Sequence, residues 1–262
     1  MALTDRNRDT RAIITGGAQG IGLAIARQLV AEGCRSLALV GRTESKGQAA
    51  VAELSKLGAD AFFIAADVSD VGACEAVVAK ALARFGSING LVNGAATSAR
   101  GSLTETTPEL FDMIFDTNVK GPFFLMQGVV RHLLETKQPG SIVSVLSMSG
   151  HGGQPFLSAY SASKGALAIL TRNAANAYRR NHIRVNAVQP GWMDTPNEAV
   201  VQQKFHGAGA DWLEKAEAAA PMGQLVKPDQ LAGLVTYMLS PESGVMTGAL
   251  VDYDQNIVGT GE

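Results

Sequence analysis

The sequence predicts an α/β fold, in which one domain is built on a seven-stranded parallel sheet with helices on both faces. Short apolar runs without strict alternation of apolar and polar residues recur along the chain, as in strands that are buried on both sides. Segments with apolar residues at helical spacing separate these runs. Strands that alternate with helices in this way favour a parallel sheet.

Each predicted strand is brief and is followed by turn residues or a helix. In chain order, the strands comprise residues 11–15, 36–40, 61–65, 90–93, 141–146, 184–188 and 249–251. The helices between them carry boundary signals. Thr107 and Pro108 resemble an N-cap followed by proline in the first turn, and Gly33 and Gly58 follow helices as C-cap glycines.

Residues 192–220 show neither the strand nor the helix pattern and are rich in alanine and glycine. Loops that connect regular elements are often mobile and carry functional residues. We therefore expect a mobile loop here that covers a substrate pocket. Because the sequence shows no linker, repeat or low-complexity tract, we expect a single domain over residues 1–262.

Composition excludes several classes of function. The chain is 46% hydrophobic and 18% charged, with a net charge of −2, which does not favour nucleic acid or an anionic membrane as partner. No apolar run reaches membrane-spanning length, and the N-terminus is too charged for a signal peptide. Cys34 and Cys74 lack metal-ligand spacing, as do the histidines, so we expect no metal site and a cytoplasmic location.

A glycine-rich turn follows the first predicted strand and opens the first helix. Residues 15–22 read TGGAQGIG, so the glycine spacing is Gly16-x-x-x-Gly20-x-Gly22. Glycines at such a turn let the backbone approach a pyrophosphate, whose negative charge is favoured at a helix N-terminus. The turn alone is a weak signal, but its place between a strand and a helix predicts a dinucleotide site.

Tyr160 and Lys164 form the second chemical signal. Four residues apart on a helix, their side chains lie on one face. A nearby ammonium lowers the pKa of a phenol, because opposite charge favours the ionised form. A tyrosine of this kind exchanges a proton with a substrate oxygen.

Further motifs occur in order along the chain. They are Asp67-Val68, Asn93-Gly94-Ala95-Ala96, Asn118-Val119-Lys120-Gly121, Ser147 placed 13 residues before Tyr160, and Pro190-Gly191 followed by Thr195. With the glycine turn and Tyr160-x-x-x-Lys164, they resemble the single-domain branch of the short-chain dehydrogenase/reductase family. This resemblance covers nearly the whole chain and implies a Rossmann-type, doubly wound fold.

The resemblance also implies a mechanism and a set of site residues. Tyr160 is the expected acid/base, Lys164 the residue that lowers its pKa and binds the nicotinamide ribose, and Ser147 the donor to the substrate oxygen. Asn118, through a distortion of its helix, is expected to hold a water that links Lys164 to solvent. The expected cofactor-binding residues are Gly16, Gln19, Gly20, Ile21, Gly22, Arg42, Asp67, Val68, Asn93, Gly94, Tyr160, Lys164, Pro190, Gly191 and Thr195.

The end of the second strand bears on the choice of cofactor. NAD-preferring dinucleotide folds usually carry an acidic residue there, whereas this chain has Gly41 followed by Arg42. Arg42 is suited to pair with a 2′-phosphate, which favours NADP(H) over NAD(H). The alternative is that Arg42 stacks on adenine or points into solvent. Gln19 weakens the case, because NADP-preferring relatives often have a basic residue in the glycine turn.

Several alternatives remain open at this stage. The chain is expected to be an oxidoreductase that interconverts a secondary alcohol and a ketone, and the alternatives are a catalytically silent sensor and an enoyl reductase. The three-residue gap between Tyr160 and Lys164 disfavours the latter. A sugar or polyol, a 3-oxoacyl compound and a cyclic ketone all fit as substrates. By resemblance we expect a homo-oligomer, a tetramer or a dimer.

Two segments depart from the family pattern or carry no assigned role. Gly94 and Ala96 replace the usual Asn and Gly, and Asp252-Tyr253-Asp254 stands where relatives usually have Asp-Gly-Gly. A particular substrate or a subunit contact would account for the second departure, and the sequence does not choose between them. We interpret His151 as a surface-loop histidine, with contact to the pocket as the alternative.

Overall fold

The structure is a computed structural model and describes residues 5–260. The ends of the predicted domain, residues 1–4 and 261–262, lie outside the described residues. All seven strands of the described chain join one sheet in the order β3-β2-β1-β4-β5-β6-β7, and every neighbouring pair is parallel. The predicted fold class is therefore confirmed.

The strands are β1 (Arg11–Thr15), β2 (Ser36–Gly41), β3 (Asp60–Ala65), β4 (Gly90–Asn93), β5 (Gly140–Val145), β6 (Ile183–Pro190) and β7 (Leu250–Tyr253). The helices are α1 (Gly20–Ala31), α2 (Glu44–Lys56), α3 (Val71–Phe85), α4 (Pro108–Phe115), α5 (Gly121–Thr136), α6 (Ser158–Tyr178), α7 (Pro196–His206), α8 (Trp212–Ala219) and α9 (Pro228–Leu239). Several predicted strands were one or two residues out of place at an end. Where a strand is longer than predicted, as in β6, pairing extends past the apolar residues that marked it, because the backbone makes the ladder bonds.

Two apolar layers enclose the sheet. Residues of α1, α2 and α9 pack on one face, and residues of α3, α5 and α6 pack on the other. Strands β2 and β3 lie on one side of β1 within the sheet, and β4 to β7 lie on its other side. The order of the strands therefore reverses between β1 and β4. In sheets of this kind, ligands bind beyond the carboxyl ends of the strands at that reversal.

The boundary signals read from the sequence are confirmed. The Thr107 side chain accepts a hydrogen bond from the Leu110 N–H and caps α4, with Pro108 in the first turn. Gly33 and Gly58 follow α1 and α2 with φ of +92° and +86°, in the left-handed region.

Residues 192–220, expected as a loop without regular pattern, contain helical structure, and their expected role over a substrate pocket stays a prediction. The segment contains α7 and α8. Thr195 caps α7 by accepting a hydrogen bond from the Glu198 N–H, and Pro196 occupies the first turn. The side chains of α7 are all at least partly exposed, so the helix has no apolar stripe that periodicity could detect.

Candidate active site

The glycine turn presents backbone donors at the carboxyl end of β1. Gly16 and Gly20 have φ of +68° and +52°. A Cβ at Gly22 would lie 2.3 Å from the Gly16 carbonyl oxygen, so the turn and the first turn of α1 pack backbone against backbone. A Cβ at Gly20, in contrast, would meet nothing within 4 Å among the described residues. The outer side of the turn is therefore open to a ligand.

The start of α1 has no side-chain cap within the described chain. Gln19 occupies the N-cap position, but its side-chain oxygen accepts a hydrogen bond from Lys46 Nζ at 2.8 Å instead of capping the helix. Ile21 is partly buried against the core, which fixes the first turn. Backbone N–H groups at such an end are donors for an anionic group.

The turn after β4 is tied to the end of β1. The Thr15 hydroxyl oxygen accepts hydrogen bonds from the Gly94 N–H at 3.0 Å and the Ala95 N–H at 3.1 Å. A Cβ at Gly94 would lie 2.8 Å from the Thr15 carbonyl oxygen. Glycine at this departure from the family pattern thus suits the close approach of the two turns.

Asn93 is 2% exposed, and its Nδ2 donates to the Ser144 hydroxyl at 3.3 Å. Its Oδ1 is buried without a hydrogen-bond partner among the described residues. A buried acceptor left without a donor costs about 1–3 kcal/mol. This atom therefore fits a ligand that brings a donor to the end of β4.

Ser147, Tyr160 and Lys164 lie together beyond the end of β5. Ser147 begins a short 3₁₀ turn two residues after that strand. Lys164 is 3% exposed and its Nζ donates to the Val145 carbonyl at 2.8 Å, 5.6 Å from the centre of the Tyr160 ring. The Ser147 hydroxyl is close enough to Tyr160 to influence the pKa of its phenol. The predicted trio is thus assembled in space.

The pKa of Tyr160 moves in the direction opposite to the one expected from the sequence. Burial raises the pKa of Tyr160, the Ser147 hydroxyl opposes this shift, and the charge of Glu198 adds to it. Burial also lowers the pKa of Lys164 to about 8. Desolvation is the largest cause of both shifts, because it disfavours the charged form of each group. The phenol of Tyr160 therefore holds its proton more tightly than that of a free tyrosine.

Asn118 lies in a π-helical turn, Asp116–Lys120, between α4 and α5. Its amide clamps the loop after β4, since Oδ1 accepts from the Thr97 N–H at 2.9 Å and Nδ2 donates to the Thr97 carbonyl at 3.0 Å. Nδ2 also donates to the Ser163 hydroxyl at 3.0 Å, one residue before Lys164. The helix distortion implied by the family resemblance is therefore present. The water-holding role stays a prediction.

The ends of β2 and β3 bring Arg42 and Asp67 together. Asp67 accepts hydrogen bonds from the Ser69 N–H at 3.0 Å and the Ser69 hydroxyl at 2.8 Å. These bonds, and the charge of Arg42, lower the pKa of Asp67. Val68 is buried, and its carbonyl packs against Gly121, where a Cβ would lie 2.4 Å away. The acidic turn is thus held beside the end of β2.

The carboxyl ends of β6 and β7 carry the remaining predicted residues. Pro190 ends β6, and the Gly191 N–H donates to the Tyr253 carbonyl at 3.0 Å. A Cβ at Gly191 would lie 2.0 Å from Asp254 Oδ1, so the unusual Asp254 side chain occupies the space above this glycine. Thr195 uses its hydroxyl to cap α7.

His151 is a link between two elements rather than an isolated surface residue. Its Nε2 lies 3.0 Å from Asp252 Oδ1 and 2.9 Å from Gln189 Nε2. The Gln189 amide also donates to Asp252 Oδ1. The 3₁₀ turn that starts after Ser147 is thereby tied to β6 and β7, which gives Asp252 a structural role.

A sequence profile of the family described as short chain dehydrogenase matches residues 10–205. The chain belongs to the short-chain dehydrogenase family. It is 34% identical to a sorbitol dehydrogenase of Cereibacter sphaeroides over 249 residues, which are 93% of this chain and 95% of the relative. A galactitol 2-dehydrogenase of Agrobacterium fabrum (strain C58 / ATCC 33970) is 32% identical and covers the same shares of the two chains. A solved variant of actinorhodin polyketide ketoreductase with NADPH has a TM-score of 0.87 and 32% identity, with 94% of this chain and 96% of that chain covered.

Family membership confirms the expected reaction class, an NAD(P)-dependent alcohol/ketone oxidoreductase. The residues of this short-chain dehydrogenase also fit a dinucleotide. The open side of Gly20, the uncapped start of α1 and the orphaned Asn93 Oδ1 all lie at the switch point of the sheet. Residues 5–260 contain no group of three or more His, Cys, Asp or Glu side chains able to hold a metal ion. None of the helices they form is both long and apolar enough to cross a bilayer.

Sequence reasoning missed a cluster around Arg100, in the loop that follows β4. The Arg100 guanidinium lies 5.3 Å from the centre of the Phe156 ring and 5.1 Å from that of Phe205, and it donates to His206 Nε2 at 2.9 Å. The loop after β4, the loop before α6 and the end of α7 therefore meet at this arginine. No spacing rule could reveal it, because the partners are about 55 and 105 positions away in sequence.

Trp192 joins the start of α7 to the site. Its indole Nε1 donates to Glu198 Oε1 at 2.9 Å, and its ring lies 6.4 Å from that of Trp212. Glu198 is the same carboxylate that influences the pKa of Tyr160. Residues 192–220 thus come close enough to Tyr160 for a carboxylate among them to affect its pKa.

Proposed function

We propose that this protein interconverts a secondary alcohol and a ketone, with Tyr160 as the acid/base of the reaction. The assembly of Ser147, Tyr160 and Lys164 at the same carboxyl edge of the sheet as the open glycine turn carries this proposal. A sensor would need the turn but not a tyrosine placed beside a buried lysine and a serine, so the trio favours an enzyme.

When bound, the nicotinamide supplies or accepts the hydride. The start of α1 and the turn at Gly16 to Gly20 would hold its pyrophosphate, and Lys164 and Asn93 would contact its nicotinamide half. Ser147 donates a hydrogen bond to the substrate oxygen and stabilises charge that develops there. Tyr160 gives its proton to that oxygen during ketone reduction and takes a proton back during alcohol oxidation.

The Tyr160→Phe variant tests the proton-donor role. It removes the hydroxyl and keeps the ring, so turnover is expected to fall at least about 100-fold, the lower range for general acid–base catalysis. Cofactor affinity, measured by the quenching of tryptophan fluorescence, should stay within about twofold. Steady-state rates that remain near those of the wild type would refute the role.

The substrate is a small alcohol or ketone, and polyols are the first class to test, because two relatives are named for sorbitol and galactitol. A panel of polyols, sugars, 3-oxoacyl thioesters and cyclic ketones, followed by nicotinamide absorbance, ranks these classes. The highest kcat/KM identifies the class.

We also propose a preference for NADP(H). Gly41 leaves the end of β2 without a carboxylate, and the exposed Arg42 follows it. A Cβ at Gly41 would lie 3.4 Å from the Phe63 ring, so a side chain is tolerated there. Gly41→Asp places a charge that repels a 2′-phosphate and should lower the NADPH-to-NADH ratio of kcat/KM by at least about tenfold. An unchanged ratio would contradict the preference.

We also propose that the protein forms a homo-oligomer. Phe111, Met113, Phe123 and Ile169 on α4, α5 and α6 are between 43% and 55% exposed, on the helices expected at the subunit contact. Large apolar side chains grouped on a surface favour association. Sedimentation equilibrium measures the state, and a monomer at micromolar concentration would contradict it.

A further inference from the structure

Two elements that are distant in sequence meet beside the end of β2. Lys46 lies in the first turn of α2, and its Nζ donates to Gln19 Oε1 at 2.8 Å in the glycine turn. The ammonium of α2 is thereby held above the turn that precedes α1. We propose that Lys46 supplies the cation that the glycine turn lacks and binds the 2′-phosphate of NADP(H). This inference rests on the proposed cofactor preference and extends it to a residue outside the sequence motifs.

The glycine turn itself carries no basic residue, because Gln19 occupies the position where NADP-preferring relatives often have one. The amide of Gln19 is neutral, but its oxygen orients the ammonium of Lys46. The positive charge beside the glycine turn is therefore supplied by a residue of α2 and not by a residue of the turn. A cation with one fixed partner loses less side-chain freedom when it binds a phosphate than a fully free lysine.

Arg42 lies on the other flank of the same region. It follows Gly41 at the end of β2, is exposed, and is close enough to Asp67 to influence the pKa of that carboxyl. Two cations that approach from β2 and α2 suit a dianionic group better than a single cation, because each makes a charge-assisted hydrogen bond. The 2′-phosphate distinguishes NADP(H) from NAD(H) and is such a group.

The carboxylates of this region are engaged elsewhere. Glu44 accepts a hydrogen bond from Gln48 Nε2 at 2.6 Å, along α2. Asp67 accepts two hydrogen bonds from Ser69. Neither forms an ion pair with Lys46 within the described residues, so the ammonium is not neutralised by a neighbour. The α2 N-cap residue, Thr43, makes no side-chain capping bond there, so backbone N–H groups of the first turn remain available as donors.

Adenosine 2′,5′-bisphosphate and 5′-AMP provide the test, since they differ by the 2′-phosphate and need no turnover. Isothermal titration calorimetry measures both on the full chain. The wild type is expected to bind the bisphosphate more tightly. Lys46→Gln should lose about tenfold in affinity for the bisphosphate, the size of one charge-assisted hydrogen bond, and less than about twofold for 5′-AMP.

Matched variants separate a specific site from a general loss of charge. Lys56→Gln removes the same charge from the exposed far end of α2 and should leave both affinities unchanged. Lys46→Arg should retain most of the preference for the bisphosphate. Equal losses in Lys46→Gln and Lys56→Gln, or equal losses for the two ligands, would overturn the assignment. If the wild type shows no preference for the bisphosphate but still oxidises alcohols, this inference falls while the proposed reaction stands.

Discussion

Two helices begin at the carboxyl edge of the sheet, and the structure holds them in different ways. The first, α1, buries Gly22, Ala24, Ile25, Ala26, Leu29 and Val30 against the core. The second, α7, buries none of its side chains within the described chain. It is attached by the Thr195 cap, the Trp192–Glu198 hydrogen bond and the Arg100 cluster.

This difference separates the two tasks of the enzyme. The turn expected to bind the cofactor is shaped by backbone packing, so a substitution in this turn disturbs the fold. Helix α7 rests on surface contacts, so its residues can change with little cost to stability. Relatives of similar fold that act on different substrates are therefore an expected outcome of this architecture.

The largest effect is expected at the backbone contact of the glycine turn. In Gly22→Ala, the new Cβ would lie 2.3 Å from the Gly16 oxygen and 2.7 Å from its carbonyl carbon, and neither is a flexible side chain. The free energy of unfolding should fall by about 3 kcal/mol, as for an overpacked core. Urea denaturation gives the stability, and fluorescence titration should show a parallel loss of cofactor affinity.

Gly20→Ala is the matched control for that substitution. Its φ of +52° strains an alanine by about 1–2 kcal/mol, but its Cβ meets nothing within 4 Å among the described residues. It should therefore be less destabilising than Gly22→Ala. If the two variants unfold at the same urea concentration, backbone packing is not what distinguishes this turn.

The second effect concerns the buried Lys164. Its pKa is lowered from 10.5 to about 8, so between these pH values the unfolded chain binds a proton that the folded chain does not. Stability contributed by this group therefore rises with pH through that window and is flat below about pH 8. At roughly 1.4 kcal/mol per pH unit, the rise is about 3 kcal/mol.

Lys164→Met isolates the contribution, because other lysines and tyrosines titrate in both proteins. The unfolding free energy of the wild type minus that of the variant should increase from pH 8 to about pH 10.5. A difference that stays constant would show that Lys164 keeps an ordinary pKa, and one that decreases would show that folding raises it; either result would contradict the prediction.

The sequence predicted the parts of the site that depend on local spacing. The glycines at 16, 20 and 22, and the register of Ser147, Tyr160 and Lys164, are fixed along one strand–turn–helix unit each, so a linear pattern carries them. The direction of the Tyr160 pKa could not be read in this way. The sequence shows only that Lys164 is near Tyr160, and from this alone a lowered pKa is expected. Desolvation depends on every element that surrounds Tyr160, and the sequence does not show these elements.

Contacts between segments that are distant in sequence could also not be predicted from the sequence. Lys46 meets Gln19, and His151 meets Asp252, through the packing of separate loops. Helix α7 was missed for a related reason: it is held by caps and single contacts and has no buried stripe to give it a period. Most of the family motifs follow strands of the sheet, and most of what the sequence did not disclose involves contacts between residues that are far apart in sequence.

The smallest effect is expected at Arg100. A substitution there tests directly whether surface contacts hold α7 in place. Arg100→Met removes two cation–π contacts and the hydrogen bond to His206, together worth about 2 kcal/mol. The attachment of α7 should weaken, so KM for the substrate should rise about tenfold while cofactor affinity stays unchanged. Proteolysis within residues 196–206 should become faster.

Arg180→Met removes an exposed arginine at the far end of α6 and serves as the control for lost charge. It should change neither KM nor the rate of proteolysis. If Arg100→Met raises KM but leaves cleavage of α7 as slow as in the wild type, then Arg100 acts on the substrate itself. The position of α7 would then depend on Thr195 and Trp192. The contrast between the two helices would in that case rest on their first turns. Backbone packing fixes the first turn of α1, whereas side chains fix the first turn of α7.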